Sequence, residues 1–151
     1  SAVGELNVVN KMKEVNAVIG GEGNGGVIYP ELHYGRDALV GIALFLSFMA
    51  KTEKKCSEIR GLYPNYYMSK KKVKLNPDDN VDEKLQKINK KYQNSNVEII
   101  TIDGVKILFN NEWVHLRKSN TEPIIRIYTE STSIEKADKL ADKFIKEISN
   151  I

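Results

Sequence analysis

The stretch "VEIITIDGVKILF", Val97 to Phe109, decides how the C-terminal half of this chain folds. Val97 to Ile102 and Val105 to Phe109 are rich in β-branched and aromatic residues, and they flank Asp103-Gly104. Asp-Gly between two such runs is a strong signal for a two-residue hairpin, because both central positions of that turn favour positive φ. Two antiparallel strands are therefore expected here, and the neighbouring elements must be built onto them.

Downstream, Asn110-Asn111 turns the chain into a strand from Trp113 to Arg117, and the loop Lys118 to Pro123 leads to another from Ile124 to Thr129. Thr132 with Glu135 reads as a capping box opening the last helix. On that helix Ile134, Ala137, Leu140, Ala141, Phe144, Ile145 and Ile148 form one wide apolar face. Upstream, Tyr66 to Leu75 reads as a strand. Asn80 then caps a helix whose Val81, Leu85, Ile88 and Tyr92 lie on one stripe. Residues 66–151 thus read β-α-β-β-β-β-α, an antiparallel sheet with two helices packed on one side.

The first part has a different style. It runs helix from Gly4 to Lys13, strand from Asn16 to Ile19, a glycine loop, a short extended Val27-Ile28-Tyr29 ended by Pro30, and an apolar helix opened by Asp37. This is the pattern of an α/β layer whose earlier strands are missing. Ala38 to Ala50, about 13 residues, falls short of the roughly 20 that span a bilayer and reads as a helix buried in a soluble domain. Residues 51–65 form a charged connector with a short helical piece around Ser57 to Leu62, closed by Pro64. The expected organisation is α/β then α+β, divided into residues 1–52, a connector 53–65, and residues 66–151.

Of the 151 residues, 41% are hydrophobic and 28% charged, an ordinary globular balance. A net charge of +3 is too mild to point to nucleic acid or a membrane surface. One cysteine, Cys56, forms no internal disulfide and has no second thiol for a metal, which fits a reducing, cytoplasmic setting. Ser1-Ala2 is set aside as a remnant or the edge of a fragment, and no signal-peptide pattern follows it.

Two loops carry chemistry. "GGEGNGG", Gly20 to Gly26, contains the letters of the dinucleotide fingerprint. That fingerprint must open a helix, whereas Val27-Ile28-Tyr29-Pro30 is β-branched, aromatic and proline-ended, so a dinucleotide site is set aside. Two alternatives stay open: a glycine-rich hairpin with no ligand, or a bare backbone on which Glu22 and Asn24 meet the hydroxyls of a sugar. The other loop is Arg117-Lys118-Ser119-Asn120-Thr121-Glu122-Pro123, with Arg126 in the strand after it. A guanidinium grips phosphate bidentately, hydroxyls add donors, and consecutive loop N–H groups form an anion nest. A polar turn beside an arginine is the plain alternative. His115 alternates with Trp113 and Arg117 on one strand face and reads as structural. His33 lies in a loop without a visible partner, Asp37 caps a helix, and Arg36 reads as a surface residue.

"GGEGNGG" followed by "RKSNTEPIIRIYTES", residues 117–131, resembles the α-D-phosphohexomutase family: phosphomannomutases, phosphoglucomutases and phosphoglucosamine mutases. The resemblance covers nearly the whole chain and implies the end of that family's third domain plus its complete fourth domain, the latter TATA-box-binding-protein-like. It implies that Glu22, Asn24 and Gly25 meet the sugar, and that Arg117, Ser119, Asn120, Thr121 and Arg126 meet the substrate's phosphate. It also implies interconversion of hexose 1-phosphate and hexose 6-phosphate through a hexose 1,6-bisphosphate. Asn24 stands where the pattern usually has Ser, and Gly26 where it often has His. Asn120 resembles the phosphomannomutase/phosphoglucomutase form of the loop, against the glycine of many bacterial phosphoglucosamine mutases. The family's phosphoserine and its Mg2+ ligands belong to N-terminal domains of the same enzyme, so no catalytic residue or metal ligand is assigned here, and this piece alone is expected to be inactive. The alternative function is a non-catalytic sugar-phosphate binding module. No nucleic acid or membrane partner is expected.

Overall fold

The computed structural model describes residues 1–76, 78–119 and 121–151, and it divides into two compact units, Ser1–Pro64 and Asn65–Ile151. The family resemblance is consistent with what the described residues form: a small α/β unit followed by a larger antiparallel α+β unit.

In the first unit, helix α1 (Glu5–Val15) ends at Asn16, whose left-handed φ of 51° closes the last turn. The N–H groups of Asn16 and Ala17 both donate to the Met12 carbonyl. That closure takes up the residues expected to begin a strand at 16–19. The strand forms later, as β1 (Gly20–Gly21), inside the glycine stretch. It pairs antiparallel with β2 (Val27–Tyr29), which pairs in turn with β3 (His33–Arg36). His33, which the sequence places in a loop, instead opens a strand, residues 33–36. They are strand because Val27 O accepts the Asp37 N–H at 2.9 Å and draws the returning chain alongside β2. Val9, Met12 and Ile28 make the small core.

Asp37 caps helix α2 (Ala38–Thr52) by accepting the Val40 N–H at 2.9 Å, as its sequence requires. The expectation that α2 is buried is not met. None of its residues is buried, and Leu39 is 78% exposed. A helix apolar on all sides needs cover on all sides, and a three-stranded ribbon with two other helices cannot supply it. The short helix α3 (Cys56–Gly61) completes the unit, with Ile59 buried and Cys56 exposed. No helix among the described residues is long and apolar enough to cross a membrane.

The second unit has strands β4 (Tyr67–Lys74), β5 (Glu98–Ile100), β6 (Val105–Leu108), β7 (Trp113–Lys118) and β8 (Ile124–Ser131), ordered β4-β8-β7-β6-β5 and antiparallel throughout. Helices α4 (Val81–Gln93) and α5 (Ile134–Ser149) cover one face. Leu85, Ile88 and Tyr92 of α4 and Ala137, Leu140, Ala141, Phe144 and Ile148 of α5 are buried, as their spacing requires. They close over Val105, Ile107, Val114, Leu116, Ile125 and Ile127 of the sheet. Thr129 Oγ1 donates to Ala137 O at 2.8 Å, and Ser69 Oγ donates to Asp138 Oδ1 at 2.5 Å, which pins α5 to the sheet.

Two local expectations are corrected. The N-cap of α5 is Ser133, which accepts the Lys136 N–H at 3.3 Å, and not Thr132, because strand β8 runs on through Ser131 and shifts the helix start by one residue. The Asp103-Gly104 hairpin is not a two-residue turn either. Ile100 pairs with Lys106, so the register is one step from that of a two-residue turn, and only Gly104 has positive φ, 74°. A Cβ at Gly104 would lie 2.2 Å from Leu116 O, so the loop is drawn against β7, and His115 Nε2 donates to Asp103 O at 2.5 Å.

Candidate functional site

The glycine loop is a tight reversal between β1 and β2. Glu22 N–H donates to Gly26 O at 3.1 Å, Gly25 N–H donates to Glu22 O at 3.0 Å, and Gly25 sits at φ 93°. Asn24 Oδ1 accepts the Gly26 N–H at 3.0 Å, which leaves the Asn24 side chain fixed at the exposed tip. Half-buried Glu22 is anchored through Oε1, which accepts the Gly4 N–H at 3.2 Å in front of α1. Its Oε2 has no hydrogen-bond partner among the described residues and can accept from a ligand hydroxyl. The three residues assigned to the sugar by resemblance therefore stand on one loop.

Beside this loop lies a hollow of about 570 Å³ lined by Glu5, Asn24, Gly25, Gly26, Arg36 and Asp37. Sequence reasoning missed Glu5 and treated Arg36 as surface. The Arg36 backbone N–H, ahead of its guanidinium, holds the Glu5 carboxyl below the usual glutamate range. The Val40 N–H, ahead of the His33 ring, does the same for Asp37. His33, without a visible partner in the sequence, has its Nε2 3.1 Å from Asp37 Oδ2.

The second loop lies at the end of the β7–β8 hairpin. Side chains alternate along β7, so Val114 and Leu116 enter the core while Trp113, His115 and Arg117 stand on the helix-free face. Arg117 pairs directly with Arg126 on β8, and Arg126 with Lys72 on β4, which sets three cations in one row across that face. Like charges directly opposite are destabilising unless an anion offsets them. Arg117 has a long ion pair, 3.4 Å from Nη1 to Asp103 Oδ2. Arg126 has no side-chain hydrogen bond or ion pair among the described residues. Adjoining it is a hollow of about 360 Å³ whose lining includes Lys70, Lys72, Glu122, Ile124, Arg126 and Tyr128.

Ser119 is buried, its N–H donates to Ile124 O at 3.1 Å, and its Oγ accepts the Thr121 N–H at 3.4 Å. The Ser119 and Thr121 hydroxyls stand 3.5 Å apart. Asn120, the remaining expected phosphate residue, lies outside the described residues. Lys72 joins this neighbourhood through sheet register, and Asp103 through its ion pair with Arg117 and the packing of its loop on β7. The alternation of Lys70 and Lys72 along β4 was the one trace of it in the sequence. Chemically, the arrangement offers guanidinium groups and the Ser119 and Thr121 hydroxyls to one anion. Among the described residues, no group of three or more His, Cys, Asp or Glu could hold a metal ion.

Both units match known proteins. The phosphoglucomutase/phosphomannomutase α/β/α domain III model matches residues 1–66, and the C-terminal domain model of the same family matches residues 71–147. A phosphoglucosamine/phosphogalactosamine mutase of Sulfurisphaera tokodaii is 40% identical over 149 residues, 99% of this chain and 32% of that protein. A phosphoglucomutase/phosphomannomutase of Thermococcus kodakarensis is 40% identical over 144 residues, 95% of this chain and 31% of that protein. The crystal structure of a Burkholderia thailandensis phosphoglucomutase/phosphomannomutase family protein aligns with a TM-score of 0.75 at 27% identity, over 98% of this chain and 31% of that one. The chain thus spans just under a third of the length of these relatives. By sequence, domain composition and fold, it belongs to the phosphoglucomutase/phosphomannomutase family.

Proposed function

We propose that this chain is the substrate-holding C-terminal part of a cytoplasmic phosphohexomutase, which interconverts the 1- and 6-phosphates of mannose, glucose or glucosamine. Residues 1–52 contribute to the sugar site, 53–65 connect, and 66–151 hold phosphate. The observation that carries this is the Arg117–Arg126 pair beside the Ser119–Thr121 hydroxyl turn, a cation-rich anion site on the loop that the resemblance marks. The charge row supplies a physical reason for an anion there, independent of the family.

In this mechanism Arg117 grips the phosphate that is not reacting, with Ser119, Asn120, Thr121 and Arg126 adding donors. Glu22 accepts from sugar hydroxyls through its unengaged oxygen. A sugar that presents its two ends in turn, by way of a 1,6-bisphosphate, needs a phosphate grip indifferent to which end it holds. It also needs a carboxylate able to accept from neighbouring hydroxyls in either orientation. Phosphoryl transfer would be served by groups outside this chain, where Mg2+ would offset the developing charge.

Two measurements test this. The 151-residue chain alone should not convert glucose 1-phosphate to glucose 6-phosphate, and turnover by a contaminant-free preparation would overturn the division of labour. In an enzyme carrying this chain with its preceding domains, Glu22→Gln keeps the side-chain shape and weakens the acceptor. Turnover and discrimination among hexose phosphates should both fall, and unchanged kinetics on all of them would return the glycine loop to a purely structural role.

A further inference from the structure

Arg36 is placed unlike a surface arginine. Its Nε donates to Glu5 Oε2 at 2.8 Å and its backbone N–H to Glu5 Oε1 at 3.2 Å, so one carboxylate 31 residues away in sequence clamps both ends of the residue. Its stem lies across Gly26. A Cβ built on Gly26 would stand 2.7 Å from Arg36 Cδ and 3.2 Å from Cγ, so a side chain at 26 and the present position of Arg36 exclude each other. The clamp prevents the stem from swinging aside without breaking the Glu5 bond. Asp37, the other carboxylate at the hollow, is occupied by the Val40 N–H and His33 and does not compete for the guanidinium. Neither terminal nitrogen of Arg36 has a hydrogen bond among the described residues, and the side chain is 49% exposed beside Asn24 and Gly25.

We propose that Arg36 is a further substrate-binding residue, whose terminal N–H groups donate to a hydroxyl oxygen of the hexose held by the glycine loop. The inference rests on the sugar-site assignment above and extends it. Hydroxyl, rather than phosphate, follows from charge. The hollow carries Glu5 and Asp37 against one guanidinium, and Glu22 is anchored on the residue preceding Glu5. A dianion would be repelled by this surplus of carboxylates, whereas a neutral hydroxyl is not. Donor and acceptor complement each other: Glu22 takes the hydroxyl's proton side in a hydrogen bond, and Arg36 takes an oxygen lone pair. Gly26, by lacking a side chain, is what allows Arg36 to reach over the loop.

The test uses an enzyme carrying this chain with its preceding domains, assayed on a hexose phosphate and its 2-, 3- and 4-deoxy analogues. Arg36→Ala should lower kcat/KM on the parent sugar by about tenfold to a hundredfold, the range for one charge-assisted hydrogen bond. The loss should vanish for the one deoxy analogue that lacks the contacted hydroxyl, a signature that loss of fold would not produce. Arg36→Lys should recover only part of the activity. Gly26→Ala should give a similar loss by displacing Arg36, and the two changes should not add. The proposal is overturned if Arg36→Ala leaves kcat/KM unchanged on every sugar, or lowers it equally on all the analogues. Glu22→Gln in parallel separates the two failures. If it too changes nothing, the sugar site itself is misplaced, and if it alone is impaired, only the role of Arg36 is lost.

Discussion

Removing the guanidinium of Arg117 should abolish most phosphate binding by this chain, and the size of the effect follows from its surroundings. A single dianion held by a few charge-assisted bonds on an open loop should bind in the millimolar range, about 4 kcal/mol. One such bond contributes about 1.5–3 kcal/mol, so Arg117→Ala should weaken binding at least tenfold and push the dissociation constant beyond about 10 mM. Little internal competition masks this. The pair with Asp103 is long, 3.4 Å, and both side chains are about a quarter exposed, so it is worth less than about 1 kcal/mol. Asp103→Asn should accordingly tighten phosphate binding by less than about fivefold. Arg126, directly opposite, should sustain only residual binding in Arg117→Ala. Arg117→Lys should restore little, since an ammonium keeps the charge but not the planar fork, and added salt should weaken all forms. The assay is a titration of the 151-residue chain with inorganic phosphate, following backbone amide shifts. Residues 117–121 should move, while Val114 and Ile107, in the core on the opposite face, should not. Movement of a different basic patch, or a titration unaffected by Arg117→Ala, would refute the assignment.

Gly104→Ala places a methyl group 2.2 Å from Leu116 O and an alanine at φ 74°. Left-handed strain and backbone overlap together should cost about 2–5 kcal/mol, read as a lower denaturation midpoint of the second unit, and a loss below about 1 kcal/mol would contradict the packing of this loop on β7. The hydroxyl of Tyr92 donates to Glu147 Oε1 at 2.9 Å, and burial first, then this bond, push its pKa up to about 12. Because the folded pKa lies above the ordinary tyrosine value of 10.0, this contribution is complete below pH 10 and is lost as pH rises through about 12. Within that interval stability should fall by about 1.4 kcal/mol per pH unit from this group, and Tyr92→Phe should remove that component of the pH dependence in chemical denaturation.

The features legible in the sequence are those governed by near neighbours along the chain. Alternation placed Val114 and Leu116 inside and Trp113, His115 and Arg117 outside. Helical spacing identified the buried faces of α4 and α5, and Asp37 and Asn80 marked the starts of α2 and α4. The two functional loops were visible because each is contiguous and carries a motif. Even locally, choices of one residue escaped: Ser133 rather than Thr132 caps α5, and the Asp103-Gly104 loop is one register step away from a two-residue turn. In both cases a partner distant in sequence decided, β4 extending β8 through Ser131 in one and β7 drawing in Gly104 in the other. Tertiary structure alone decided that Glu5 would clamp Arg36 across 31 residues. It alone set Lys72, Arg126 and Arg117 in a single row. Neither could be read from spacing, because hydrogen-bond register between strands, and the approach of a helix's first turn to a distant strand, depend on how whole elements pack. A charge in the sequence has a sign, but its partners are chosen only when the chain folds back on itself.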